Sequence, residues 1–288
     1  MMSRWLGRFI AIVALSAGSL AMLFPLWWMF VISLESPQRA GAAAEGGGSI
    51  AIWPEEVHWS NYSEALRQIG TEPWQGFLDA LSNSIVITVL VVIGTVLSSS
   101  LVGFAFARIN FRGRGPLFIL MLATMMLPAQ VTMIPLFLVF RTMGWIDTIL
   151  PLVAPAFFGS AFFIFMYRQF ISQISESLIE AARIDGYGMF GIWWRIILPM
   201  CKPVTAITAI FTFIFVWNDF LGPLIYLHSD DQSTLALALN SFRNQYGGLE
   251  NVHLLMAVSV VTMIPCVVLF FAAQRAFVEG IGSGAVKG

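Results

Sequence analysis

The chain has 288 residues, of which 58% are hydrophobic and 11% charged, and its net charge is −1. Soluble domains carry about 25% charged residues, so this composition excludes an ordinary water-soluble globule and describes a membrane protein. The balanced charge argues against nucleic-acid binding and against a polybasic membrane tether, and the two cysteines, Cys201 and Cys266, lack metal-ligand spacing and read as free thiols.

Arg4 and Arg8 precede an apolar run from Phe9 to Leu34, broken only by small or weakly polar residues and Pro25. Its 26 residues exceed the apolar core of a secretory signal and match a retained spanning helix, although Ala42-Ala43-Ala44 resembles a cleavage site. Six stretches are long enough to cross a bilayer, at about 9–33, 84–107, 116–140, 148–168, 204–227 and 254–275. All read as helices, because lipid cannot satisfy open backbone groups and no alternating barrel pattern appears. The third is interrupted by Pro128-Ala129-Gln130 and Pro135. Either these prolines kink a packed helix, or the broken backbone lines a cavity, with Gln130 and Thr132 as solute-pathway candidates.

Orientation follows from the basic residues. With the N-terminus in the cytoplasm, inside segments hold Arg4, Arg8, Arg108, Arg112, Arg114, Arg168, Arg183, Arg195, Lys202, Arg275 and Lys287. Outside segments hold only Arg39, Arg67, Arg141 and Arg243, so eleven stand against four. Both termini and the polar segment 170–200 are expected in the cytoplasm, and loops 35–83 and 228–253 outside. In the first outer loop, Ser60 or Asn61 is suited to cap a short helix through Leu66. The whole chain, 1–288, reads as a single transmembrane domain.

Residues 170–200 are too polar to span. Ser175 or Ser177 is placed to cap a helix beginning near Glu176, and Ser177-x-x-Glu180 has capping-box spacing. Ala181 and Ala182 keep that helix slim for the approach of another protein, while Glu180 and Arg183 offer charged contacts. Gly186 ends the helix, ideally with positive φ. A second amphipathic stretch, Phe190 to Leu198, returns to the membrane, with Pro199 as its stop.

No Walker A loop is present, since the only lysines are Lys202 and Lys287 and neither follows the required glycines. No His-Glu-x-x-His and no Gly-x-Ser-x-Gly elbow occurs. Gly159-Ser160, inside the fourth span, reads as a small-residue packing contact. The only acidic residue deep in an apolar stretch is Asp219, next to Asn218. It is either a solute-pathway group or a hydrogen-bonded structural aspartate.

The spacing E-A-A-x3-G-x9-I-x-L-P fits Glu180, Ala181, Ala182, Gly186, Ile196, Leu198 and Pro199. Seven fixed positions match by chance on the order of once in a hundred million starting points. This segment resembles the EAA loop of permease subunits of ATP-binding-cassette importers. The likeness extends to Asn61-Tyr62, Asn83-Ser84, Phe106-Ala107-Arg108 with Phe111, Leu127-Pro128, Arg168-Gln169-Phe170, Trp217-Asn218-Asp219 with Pro223, Gln274-Arg275 and Gly284 to Gly288. It covers nearly the whole chain from about residue 55 onward and resembles the six-span permeases of the carbohydrate-uptake branch, of the maltose-permease second-subunit type. Ser175 departs from the proline common there.

The resemblance implies an all-α, six-span type I importer permease in a bacterial or archaeal cytoplasmic membrane. Its partners would be a second permease subunit, usually unlike this one, two ATP-binding subunits, an extracytoplasmic solute-binding protein and membrane lipid. ATP and Mg would sit on the ATPase, with no cofactor or metal on this chain and no catalytic residue. The ATPase-coupling residues carried over are Glu180, Ala181, Ala182, Arg183, Asp185, Gly186, Ile196, Leu198 and Pro199, and the tail residues Gly284 and Lys287 would also reach the ATPase. The solute would be a sugar, oligosaccharide, polyol or glycerol phosphate. Two other classes remain: a self-contained secondary transporter, which needs paired charges within spans, and an intramembrane hydrolase, which needs a nucleophile and base.

Overall fold

The computed structural model describes residues 2–46, 52–70 and 74–285. No strand occurs among the described residues, and the fold is all-α. Two compact units make up the chain: Met1–Leu78 with Ala238–Pro265, and Asp79–Leu237 with Cys266–Gly288.

In the first unit, α1 (Met2–Ser33) is the first span, with Pro25 inside it and its central turns fully exposed. A helix with no buried face in water is what lipid stabilises. Its end is clamped by the Asn61-Tyr62 pair. Asn61 donates to the Ser33 and Glu35 carbonyls at 3.0 and 2.9 Å, and the Tyr62 hydroxyl meets Ser33 Oγ at 2.7 Å. Asn61 therefore does not cap α3 (Ser60–Arg67). Trp59 is the N-cap residue, and no side-chain capping bond is made. The buried amide finds stronger employment on the carbonyls that end α1. The short α2 (Pro37–Ala44) packs against the 3₁₀ turn Leu249–Asn251, with Ala40 fully buried.

In the second unit, α4 (Gln75–Arg108) is the second span and begins nine residues before the expected 84. The third span is two helices, α5 (Arg114–Thr124) and α6 (Ala129–Thr142), bent by 99° at a break ending in Pro128. The fourth runs from α7 (Leu150–Val153) through a 3₁₀ segment, Ala154–Phe158, into α8 (Ala161–Ser172). At that junction the Ser98 hydroxyl donates to the Ala156 carbonyl at 2.8 Å and Ser99 Oγ accepts from the Ser160 N–H at 3.2 Å, the small-residue contact expected at Gly159-Ser160.

The polar segment holds α9 (Glu176–Ile184), α10 (Met189–Ile192), a π-helical turn Trp193–Ile197 and α11 (Leu198–Met200). The fifth stretch, expected as one span over 204–227, is divided. Helix α12 (Lys202–Trp217) has 16 residues and is followed, after a break at 218–220, by α13 (Leu221–Tyr226). Sixteen residues reach about 24 Å, short of a hydrocarbon core of about 30 Å, so α12 alone does not cross. The outer loop 228–253 contains α14 (Leu235–Tyr246), and α15 (Val252–Ala285) is the last span, extending beyond the expected end at 275. Among the described residues, four single helices and two bent pairs, α5 with α6 and Met189–Met200 with Lys202–Trp217 (bent by 80°), pass the length and apolarity needed for a crossing, so up to six spans fit.

The outer ends of the second unit are tied by polar contacts. Asn83 donates to the Asp231 and Ser233 carbonyls at 2.7 and 3.0 Å, and Ser84 Oγ accepts from the Leu235 N–H at 2.8 Å. Asp147, at φ 62°, accepts from the His228 and Ser229 N–H groups, both at 2.9 Å, and from the Ser229 hydroxyl. The Ser229 hydroxyl and the two N–H groups hold the Asp147 carboxyl down to about 2.

Candidate functional site

The segment between α8 and α12 is built from the sequence in three steps. Ser175 has extended backbone and ends the previous turn, so α9 starts at Glu176. The expected capping box does not form. With Ser175 at the N-cap, the third helical residue is Leu178 rather than Glu180, and Ser177 faces the Ser175 hydroxyl at 2.7 Å instead. The helix ends in a Schellman motif: Gly186 N–H donates to the Arg183 carbonyl and Tyr187 N–H to the Ala182 carbonyl, both at 3.0 Å. Gly186 sits at φ 84°, the conformation the glycine was expected to supply.

An apolar cluster then seats the segment. Ile179, Ala182, Ile192, Trp193 and Ile197 pack with Phe104 of α4, Tyr167 and Ile171 of α8, and Cys201. At Gly103 an added Cβ would stand 2.6 Å from Tyr167 Cβ, so α4 and α8 touch backbone to side chain there. The Tyr167 hydroxyl donates to Thr205 Oγ1 at 2.9 Å and links α8 to α12. Arg108, the last residue of α4, completes the seat. Its side chain is 8% exposed and reaches the Ile171 carbonyl at 2.8 Å, the Ile174 carbonyl, and Glu176 Oε2 at 3.0 Å. One guanidinium thus holds the end of α8 and the start of α9 together, a fork that lysine cannot copy.

The motif residues divide between this seat and the surface. Glu180 is exposed with no ion pair in the described chain, and Ala181, Ile184 and Phe190 are exposed with it. Arg183 is exposed and lies 3.7 Å from Met189 Sδ, and Asp185 is the exposed C-cap. Ala182 departs from expectation: at 3% exposure it is core, because it lies three residues from Ile179 on the inward stripe. Ile196 and Leu198 pack at the edge of the cluster. Pro199 is not a stop. It lies inside the continuous helical run Met189–Met200, directly after the π-helical turn Trp193–Ile197, and the chain breaks two residues later at Cys201. Gly284 lies on the helical backbone of α15, and Lys287 is outside the described residues.

A second feature lies in the same unit, a cavity of about 720 Å³ bounded by α4, the α7–α8 segment, α12 and α13. Asp219 lines it from the break, and its Oδ1 accepts from the Gly222 N–H at 3.1 Å, capping α13. Asn218 is exposed and turns back to the Ile214 carbonyl at 2.8 Å. Gln130 is exposed on α6, and Thr132 bonds its own helix at the Ala129 carbonyl at 3.0 Å. The structure brings Asp219 to the cavity wall, and the wall does not include Asn218, Gln130 or Thr132. Thr88, Thr212 and Thr234 do line it, and sequence reading passed over them. Ser84, Thr88 and Thr95 share one face of α4, a polar stripe in an apolar span that offered a signal.

An all-helical, multiply crossing chain with broken spans, a largely apolar cavity that carries the Asp219 carboxyl, and an exposed helix locked onto its spans is a membrane transport subunit. Residues 99–283 match the family described as "Binding-protein-dependent transport system inner membrane component". The chain belongs to that family, and is an inner-membrane, multi-pass translocation component rather than an enzyme. It is 33% identical to the arabinooligosaccharides transport system permease protein AraQ of Bacillus subtilis, over 94% of this chain and 92% of that one. It is 31% identical to the sn-glycerol-3-phosphate transport system permease protein UgpE of Yersinia pestis, over 93% and 94%. A crystal structure of a bacterial ABC transporter involved in import of the acidic polysaccharide alginate superposes with a TM-score of 0.80 at 25% identity, covering 96% of this chain and 98% of that one. The relatives are permease subunits of ABC importers, which work with a partner permease, an ATPase and a binding protein.

Proposed function

We propose that this chain forms half of the solute pathway of an ABC importer for a sugar or sugar-like solute, and that α9 couples it to a separate ATPase. The whole chain, 1–288, then acts as one permease domain with both termini in the cytoplasm. Its partners are an unlike second permease, two ATP-binding subunits carrying ATP and Mg, and an extracytoplasmic binding protein facing the loops 35–83 and 228–253. The eleven-to-four charge bias supports this orientation.

The observation that carries the reading is the division of labour in the EAA segment. Glu180, Ala181 and Ile184 face outward while Ile179, Ala182 and Arg108 lock the same helix to α4 and α8. A displacement of α9 by a docked ATPase passes into the spans through packed contacts rather than dissipating in a loop. Gly186 fixes the turn, Asp185 and Arg183 flank the docking face, and Ile196, Leu198 and Pro199 anchor its return. Gly284 and Lys287 provide the tail contact to the ATPase. A secondary transporter is not favoured, because the deep carboxylate of Asp219 is engaged in capping α13.

Affinity purification of the tagged chain with its cellular partners tests the proposal. An ATP-binding subunit should copurify, and Glu180→Ala should release it while the chain still reaches the membrane. Loss of one side of a charge-assisted interface contact costs about 2–5 kcal/mol, more than a tenfold weakening. Solute accumulation by the chain alone in liposomes without ATP would overturn the assignment.

A further inference from the structure

A group of guanidiniums at one end of the spans has no carboxylate to answer it. Between Asp79 and Asp147, and again between Asp147 and Glu176, the chain contains no aspartate or glutamate. Glu176 is engaged by Arg108, which leaves Arg112, Arg114 and Arg168 with no ion pair among the described residues. The Arg168 guanidinium lies over the Phe118 ring, 4.1 Å from its centre. Arg114 stands one helical turn before Phe118 on the same face of α5, and it donates only to neutral acceptors, Asn110 Oδ1 and the Ala107 carbonyl, both at 3.1 Å. The ring under Arg168 continues into an aromatic layer, for Phe118 pairs with Phe106 at 5.3 Å and with Phe165 at 6.4 Å. Phe162, Phe165 and Arg168 follow at intervals of three along α8, and the two rings are 45% and 36% exposed.

We infer that this face of α5 and α8 binds an anionic phospholipid of the cytoplasmic leaflet, with the phosphate on Arg168 and Arg114 and an acyl chain along Phe165 and Phe162. A guanidinium that stacks on a ring keeps its N–H edges for a bidentate phosphate. Two like charges about a helical turn apart repel, and a phosphate between them turns that repulsion into attraction. The rings run from the arginines into the membrane, so charge and apolar surface are joined here as they are in a lipid. A free phosphate would leave the exposed rings uncovered. A zwitterionic headgroup brings its own cation and gains less from the arginines. Placement of this end in the cytoplasm rests on the importer reading and its charge bias, and the lipid site goes beyond that reading.

The test uses the assembled importer, delipidated in detergent and titrated with phosphatidylglycerol, phosphatidylcholine or inorganic phosphate while native mass spectrometry counts bound lipid. Phosphatidylglycerol should bind about tenfold more tightly than phosphatidylcholine, and excess inorganic phosphate should not displace it. The double variant Arg114→Gln, Arg168→Gln should lose about tenfold or more of that affinity. Arg168→Gln alone gives up only the contact with the Phe118 ring, so it serves if the double variant fails to assemble, and it should lose about threefold or more. Arg195→Gln, which removes a guanidinium from the Tyr187 ring elsewhere, should change nothing. A photocrosslinker in place of Phe162 should capture lipid. Equal affinity for the two lipids, displacement by phosphate, the same loss in Arg195→Gln, or capture of a partner subunit at position 162 overturns the inference. Labelling of Arg112→Cys by a membrane-impermeant thiol reagent, with Cys201 and Cys266 changed to serine, separates the two readings. Labelling in intact cells refutes the cytoplasmic placement. Labelling only after permeabilisation, with no preference for phosphatidylglycerol, refutes the lipid site alone.

Discussion

Arg108 offers the sharpest test of how the exposed helix is joined to the spans. Its guanidinium makes two charge-assisted bonds to carbonyls, at Ile171 and Ile174, and one to Glu176. Bonds of this kind contribute about 1.5–3 kcal/mol each. The Ile171 carbonyl keeps a second donor, the Ile174 N–H at 3.1 Å, so its loss is partial. The Glu176 carboxylate is 63% exposed, and solvent screening leaves its ion pair below about 1 kcal/mol. Arg108→Ala should therefore loosen the seat of α9 by about 2–4 kcal/mol, nearly all of it through the carbonyls. A loss of about 2 kcal/mol raises local opening roughly thirtyfold. Hydrogen exchange over residues 176–186 in the assembled complex reads this directly. Arg108→Lys should behave like Arg108→Ala, because an ammonium lacks the fork, and Glu176→Gln should stay within about fivefold of the parent protein. Equal damage from Glu176→Gln would mean that the ion pair, not the carbonyl clamp, holds the helix. Unchanged exchange in Arg108→Ala would mean that apolar packing suffices alone.

The spans, the polar segment and the glycine turn were legible because each has a local cause: apolar length, charge and the φ of one residue. What failed to show were the partners that tertiary structure supplies. Asn61 has good capping chemistry, yet its amide bonds carbonyls 26 and 28 residues earlier, at Glu35 and Ser33. Arg108 looked like a cytoplasmic flanking charge, and its carbonyl partners are 63 and 66 residues away. Ala181 and Ala182 are chemically identical, so small size alone could not say which faced out. The spacing Ile179 to Ala182 did carry that information, but reading both alanines as a docking surface concealed it. The division of the fifth stretch is half visible: Asp219 reads as either a pathway group or a hydrogen-bonded structural aspartate, and it both bonds the Gly222 N–H at the start of α13 and lines the cavity. The wall threonines Thr88, Thr212 and Thr234 are easily passed over, because a hydroxyl in a span is ordinarily satisfied by its own helix.

Gly186→Val should weaken ATPase copurification through backbone conformation alone, since an added Cβ meets nothing within 4 Å while φ is 84°. The left-handed conformation costs about 1–2 kcal/mol for a residue with a Cβ, and Gly186→Asn should recover part of the loss. Asp147 sets an acid limit on the outer tie. Its folded value, about 2, is below the ordinary 3.8, so its contribution is complete above 3.8 and disappears as pH falls through 2. Acid unfolding of the purified complex should begin at higher pH in Asp147→Asn than in the parent; coincident curves would show that the tie contributes nothing. The two alanines separate folding from docking. Ala182 is 3% exposed among Ile179, Ile192 and Ile197, whereas Ala181 is exposed beside Leu178. Forcing even a few methylenes into a packed core costs about 1–3 kcal/mol, and an indole adds far more than that, so Ala182→Trp should disrupt the segment itself: fast hydrogen exchange over 176–200 and low recovery from the membrane. Ala181→Trp adds the same bulk to a free surface. It should leave exchange in the purified chain unchanged and abolish association with the ATPase. The reasoning fails if Ala182→Trp keeps native exchange protection, because the residue would then lie outside the core, and it fails equally if Ala181→Trp binds the ATPase normally, because the exposed face of α9 would then not be the docking face.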